Sequence, residues 1–166
     1  MHPTLELRPT AFDHPDALHL IAELQRVYQQ RYGDDDATPV DTSEFAPPLG
    51  HFVVGYAGGE PVACGGWRAR DGGDPVLRVG DAEIKRMYVR ESARGRGFAR
   101  AVLAELERSA AATGRLRAVL ETGTAQPEAI ALYLSSGYHR IPGFGTYREW
   151  PNSRCYAKSL VEFAED

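Results

Sequence analysis

Residues 82–107 read AEIKRMYVRESARGRGFARAVLAELE, and this stretch decides the fold. Apolar Ile84, Met87 and Val89 mark a strand whose alternation slips by one residue, the signature of a β-bulge. After an arginine- and glycine-rich turn, Ala99, Val102, Leu103, Leu106 and Ala110 recur at helical spacing, while Arg100, Glu105, Glu107 and Arg108 fill the opposite side. The turn therefore opens an amphipathic helix. A helix start presents unpaired N–H groups and a partial positive charge, and the glycines before it let a ligand approach the backbone. Arg94, Arg96 and Arg100 set three guanidinium groups around it. Such a turn suits phosphate oxygens; on spacing alone, arginines that are merely solvated are the alternative.

Outward from this stretch, Thr4 to Arg8 alternates as a first strand, and Leu18, Ile21, Leu24, Val27 and Tyr28 follow at helical spacing after Asp13, a candidate cap, until Gly33. Residues 34–48 show no period and read as a loop with one short helical turn. His51–Tyr56 and Pro61–Arg68 are apolar runs joined by Ala57-Gly58-Gly59-Glu60, a hairpin. Beyond the central helix, Arg117–Thr122 is a short strand, and a return through a helix makes it a parallel neighbour of the central strand. Parallel strands that splay at a bulge leave backbone groups facing a cleft, which an amide-bearing arm can satisfy. Pro127–Ser135 is a helix ended by Gly137, Tyr138–Ile141 resumes as strand, and Cys155–Leu160 is the last strand after a glycine- and proline-punctuated loop.

A chain of 166 residues at 43% hydrophobic fits a single domain spanning 1–166. No run approaches about 18 apolar residues and the amino terminus lacks a basic-then-apolar signal, so a cytoplasmic protein with no membrane partner is expected. A net charge of −4 argues against a general nucleic-acid binder, leaving the basic turn as a local exception suited to a small phosphorylated cofactor. Cys64 and Cys155 form neither a metal-ligand spacing nor a disulfide framework and read as small core residues. The acidic residues Asp34 to Asp36 and Glu44, with Tyr28, Tyr32 and Trp67, suit an amine-bearing partner; solvated acids are the alternative.

Arg94-Gly95-Arg96-Gly97-Phe98-Ala99 resembles the Gln/Arg-x-x-Gly-x-Gly/Ala signature of the GNAT family of N-acetyltransferases, placed as in that family after a strand and before a helix. Gln126-Pro-Glu-Ala129-Ile-Ala-Leu132-Tyr133-Leu-Ser-Ser-Gly137-Tyr138 resembles the family's Asn-x-x-Ala…Leu-Tyr-x-x-x-Gly-Phe block. The resemblance covers roughly Leu5 to Leu160 and is specific from Glu83 to Tyr138. It implies an α/β (α+β) fold of the GNAT type: a mixed, mostly antiparallel sheet with a splayed central parallel pair and about four flanking helices. It also implies acetyl-CoA as co-substrate, no metal, and transfer to a primary amine, on a small molecule or peptide, by direct attack in a ternary complex. A homodimer is compatible with such domains.

The same resemblance implies roles for particular residues. The CoA pyrophosphate would rest on the amides of Gly95, Arg96, Gly97, Phe98 and Ala99, with Arg94, Arg96 and Arg100 supplying charge. The pantetheine arm would pair with the backbone of Met87, Tyr88 and Val89, where an N–H is the natural oxyanion donor. Gln126 stands where the family block begins with Asn, so its contact to the arm is direct, water-mediated or absent. Tyr133 takes the position of the tyrosine that protonates the departing thiolate, and a phenol with an ordinary pKa of about 10 can do so; packing against the cofactor is the alternative. Glu83, eleven residues before Arg94, takes the place of a glutamate base in some relatives. A structural ion pair or a substrate anchor is the alternative there, with Glu121, His139, Tyr156 or water as rival proton acceptors. Two other functions compete with this reading. A dinucleotide loop needs a small residue at position 100, where Arg stands, and a βαβ unit. A non-catalytic acyl-CoA sensor of the same fold stays open.

Overall fold

The structure, a computed structural model, describes residues 4–161. Its elements run β1 (Leu5–Pro9), α1 (Pro15–Tyr32), β2 (Gly50–Ala57), β3 (Glu60–Arg70), β4 (Asp81–Val89), α2 (Phe98–Ala112), β5 (Arg117–Gly123), α3 (Pro127–Ser135), β6 (His139–Ile141) and β7 (Ser153–Ser159). They form one seven-stranded sheet in the order β1-β2-β3-β4-β5-β7-β6, antiparallel throughout except for the pair β4–β5. The mixed, mostly antiparallel sheet is the expected one. Among the described residues, three α-helices and two 3-10 turns, Thr42–Phe45 and Glu91–Ala93, stand where about four helices were expected. The first of these turns is the single helical turn read in the 34–48 loop, closed by hydrogen bonds from Ser43 N to Asp41 Oδ1 (2.9 Å) and from Asp41 N to Glu44 Oε1 (2.8 Å).

Local chemistry sets the helix ends. His14, not Asp13, caps α1: its Nδ1 accepts from Asp16 N at 3.1 Å, with Pro15 fixing the first helical position. Parity along the strands then divides the core. Val53, Ala63, Ile84 and Leu120 pack with Val102, Leu103 and Leu106 of α2 on one face of the sheet. Val54 and Cys64 pack with Ala17, Leu20 and Ile21 of α1 on the other. Both cysteines are free and buried. Trp67 lies in the α2-side core, where its Nε1 donates to Ser109 Oγ at 3.2 Å, so it takes no part in the acceptor site suggested for it.

The bulge falls in β4. Cys64 pairs with Tyr88 and Gly66 with Lys85, so Arg86 and Met87 together face Gly65. Arg86 occupies the left-handed region at φ 60°. A Cβ on Gly65 would sit 2.9 Å from Met87 Cγ and 3.0 Å from Val102 Cγ1, so only bare backbone lets the bulge close beneath α2. The extra residue sends Ile84, Met87 and Val89 to the α2 side. Glu83, which pairs across β3 with Arg68, faces the opposite side, in agreement with the phase read from the sequence.

The parallel pairing is short. It links Asp81 to Arg117, Ala82 to Ala118 and Glu83 to Val119, and then stops. Arg117 clamps the closed end through Nε and NH2 to the two oxygens of buried Asp81, at 2.8 and 2.7 Å. Beyond Glu83, β4 stays bound to β3 and β5 to β7, so the facing edges of Ile84–Val89 and Leu120–Gly123 part without a common partner.

Candidate functional site

The parted strands enclose a cavity of about 470 Å³, lined among others by Met87, Leu120, Gln126 and Tyr133. Tyr133 comes from α3 and is buried, edge-on to Tyr138 at 5.8 Å. Burial pushes its phenol up to about 12. It therefore carries its proton across the physiological range. Gln126, the residue before α3, accepts at Oε1 from Tyr32 OH at 3.3 Å. A Cβ at Gly123 would lie 2.0 Å from that same hydroxyl, so the glycine is what admits α1 to the end of β5. Arg31 completes the join with a hydrogen bond to Ala125 O at 3.0 Å and an ion pair to Glu128.

At the parted end of β4 the chain turns through Gly95 and Gly97, with φ of 80° and 79°. Gly97 begins α2 with no side chain capping it, and a Cβ on either glycine would meet nothing within 4 Å. Among the described residues, the amides from Gly95 to Ala99 donate to no backbone carbonyl outside regular elements. They form an open anion cradle, and Phe98, buried in the α2-side core, anchors it. Of the three arginines, Arg94 donates from Nε to Val89 O at 3.0 Å and lies 5.9 Å from the Tyr88 ring. Arg100 binds Ser135 Oγ (2.9 Å) and Ser136 Oγ (3.1 Å), tying α2 to the end of α3. Arg96 is exposed. A diphosphate at the cradle and an extended amide arm along the unpaired edge of β4 fit what these residues offer.

A second cavity, about 650 Å³, opens on the face opposite α2 between β3, β4 and the loops around residues 38–44 and 144–146. Lys85 and Glu121 line both cavities, so the two meet there. Burial is the main influence on Glu121 and raises it from 4.5 to about 7; Asp36 and Glu83 add to the rise while Lys85 and the nearby Ser153 hydroxyl oppose it. Glu83 is buried with Oε1 accepting from Arg68 Nε and Arg70 NH1, both at 2.9 Å. Of the acids suggested for amine capture, Asp34 and Asp35 are exposed at the rim of the smaller cavity, while Asp36 and Glu44 are held by cations. Asp36 Oδ2 receives Lys85 Nζ at 3.0 Å and Arg86 NH1, and Glu44 Oε1 receives Arg68 NH1 at 3.0 Å. Burial works to raise Asp36, but the two cations and Thr38 outweigh it and hold the carboxyl well below the usual range. The Asp36 loop is pinned from above by Tyr147, whose hydroxyl accepts from Ala37 N at 2.7 Å and whose ring meets exposed Trp150 edge-on.

The fold thus brings Met87, Tyr133 and Gln126 to one cavity, Glu83 and Glu121 to its neighbour, and the 94–100 turn to the open end of the splay. His139 is exposed on β6 and Tyr156 is buried against Tyr133; neither lines either of these two cavities. Sequence reasoning missed Arg68, Arg70, Lys85, Tyr147 and Ser153. The first three share a face with Glu83 across β3 and β4, a relation that only the β3–β4 register shows, and the long connection at 71–80 leaves that register unset in the sequence. Tyr147 and Ser153 carry no local signal.

Comparison with known proteins gives consistent matches. The model of the Acetyltransferase (GNAT) family matches residues 17–138. An IAA acetyltransferase of Azospirillum brasilense is 34% identical over 143 residues, which is 86% of this chain and 90% of that protein. Among solved structures, a Klebsiella pneumoniae protein described as an acyl-CoA N-acyltransferase superposes with a TM-score of 0.78 at 28% identity, over 95% of this chain and 99% of that one. An acetyltransferase from Thermus thermophilus shares the fold at 23% identity and a TM-score of 0.68, over 96% of this chain and 99% of that one.

Proposed function

This chain belongs to the acetyltransferase (GNAT) family, and from that membership we propose that it moves an acetyl group from acetyl-CoA to a primary amine by direct attack in a ternary complex. The observation that carries the reading is the junction of the two cavities at Glu121 and Lys85, directly beside the parted strands. A donor held along β4 and an acceptor entering from the opposite face would meet there without a covalent enzyme intermediate.

In this reading the amides of Gly95 to Ala99 hold the diphosphate, with Arg94 and Arg96 adding charge, while Met87, Tyr88 and Val89 offer main-chain groups to the pantetheine amides. Val89's carbonyl is already taken by Arg94, so its contribution is the side toward the arm that remains. A backbone N–H at the bulge supports the carbonyl oxygen as charge develops on it. Gln126 orients Tyr32 rather than reaching for the arm.

The proton traffic falls to two groups. An amine attacks only when neutral, and a carboxyl poised near 7 accepts its proton at neutral pH. We therefore assign the base to Glu121. Glu83, with one oxygen shared by two guanidinium groups, serves in this reading to place Arg70. Tyr133 donates to the departing thiolate. The burial that raises the phenol also makes a thiolate released beside it more basic, which keeps transfer between them accessible. The test is release of free thiol from acetyl-CoA across a panel of amines. Saturable release dependent on the amine supports the proposal; CoA binding without release from any amine would instead favour the sensor.

A further inference from the structure

Resting on that reading, we propose that the acceptor carries a carboxylate as well as its amine: Arg70 holds the carboxylate in the larger cavity, and the amine sits between Glu121 and Ser153. Three basic side chains line the larger cavity, and they differ in what they have left to give. Arg68 is 4% exposed and already serves Glu83, Glu44 and Pro39 O. Lys85 is 9% exposed and bound to Asp36. Arg70 is 28% exposed and, among the described residues, makes one hydrogen bond, from NH1 to Glu83. Its Nε and NH2 remain. A guanidinium with a free edge matches a carboxylate in shape and charge, and the carboxylate of Glu83 fixes its position.

The acids of the same wall are committed. Asp41 accepts from Ser43 N and Oγ, Glu44 from Arg68 and Asp41 N, and Asp71 from Arg115 and Gly80 N. An entering anion therefore meets donors, and an entering second ammonium group meets carboxylates that already have partners. At the other end, Ser153 Oγ is buried close enough to Glu121 to lower its carboxyl, yet it makes no hydrogen bond of good geometry within the protein. It lines the smaller cavity on β7, two residues from Cys155, which pairs with Glu121. A buried hydroxyl without a well-formed hydrogen bond is uncommon, and an amine N–H seated between it and Glu121 would bond both. Because Glu121 lines both cavities, one small bifunctional molecule can span them.

The experiment compares the twenty amino acids with their carboxamides, and with putrescine, in the thiol-release assay, using the wild-type chain and Arg70→Gln. The expected result is at least about tenfold higher kcat/KM for the preferred acid than for its amide. Arg70→Gln should then lower activity on the acid about ten- to a hundredfold more than on the amide, mainly through KM. Arg70→Lys, which keeps the charge and a donor, should recover part of the loss on the acid alone. Ser153→Ala should raise KM for acid and amide alike. Equal rates for acids and amides, a preference for putrescine, or an Arg70→Gln loss shared by acid and amide would overturn this inference while leaving the acetyltransferase reading intact. No thiol release from any amine would overturn both.

Discussion

Replacing Glu121 by Gln removes an ionisation that the fold opposes, and the consequence can be worked from its surroundings. Burial raises this carboxyl from 4.5 to about 7. A carboxyl raised on folding binds its proton more tightly in the native state, so it favours folding below 4.5 and that contribution is lost as pH climbs towards 7. At about 1.4 kcal/mol per pH unit, the wild type forfeits roughly 3 kcal/mol across this window. Gln does not titrate. Its stability relative to wild type should therefore be flat below 4.5, rise through the window, and level off about 3 kcal/mol ahead above 7. For a chain of this size that is roughly 6–12 °C in melting temperature. Urea unfolding of both proteins from pH 4 to 8, followed by circular dichroism, reads the difference directly. The same variant should lose the kcat/KM limb that rises to a plateau near 7. Stability profiles that run parallel over the whole range would refute the reasoning, since they would mean Glu121 titrates as an ordinary exposed carboxyl.

Further outcomes follow from other contacts. Tyr133→Phe should cut kcat about a hundredfold with little change in CoA affinity measured by calorimetry, because the phenol's part is played in proton transfer; undiminished turnover would remove that role. Gly97→Val should cost roughly 1–2 kcal/mol of left-handed strain and crowd the open cradle, so CoA should bind at least tenfold more weakly while the far-ultraviolet spectrum is preserved. Asp36→Asn leaves Lys85 and Arg86 facing a neutral group and should destabilise the protein by about 3 kcal/mol at pH 7. Since the Asp36 carboxyl is held low, its contribution stands above the ordinary 3.8 and is lost only as pH falls below that, so the gap to wild type should narrow in strong acid.

Much of this was legible in the sequence where the signal is local. The slipped phase of Ile84, Met87 and Val89 located the bulge, because an extra residue must shift every later side chain to the other face. The spacing of Val102, Leu103, Leu106 and Ala110 gave α2, with Phe98 added to its buried side. The glycines at 95 and 97 gave the cradle. What stayed hidden depends on residues far apart in the chain. The insertion of β7 between β5 and β6 rests on pairings such as His139 with Ala157 and Glu121 with Cys155, for which no short motif speaks. Choosing between Glu83 and Glu121 needed their environments: one glutamate meets Arg68 and Arg70 across the sheet, and the other is half-buried where the two cavities meet. Asp36 looked available because its cationic partners, Lys85 and Arg86, lie about fifty residues on.

A crystal structure with CoA bound puts the site to its most direct trial. The diphosphate should lie within hydrogen-bonding reach of the amides from Gly95 to Ala99, with the pantetheine arm running along Met87 to Val89 and its sulfur beside Tyr133. Density for the diphosphate away from this turn, or an arm lying outside the gap between β4 and β5, would contradict it.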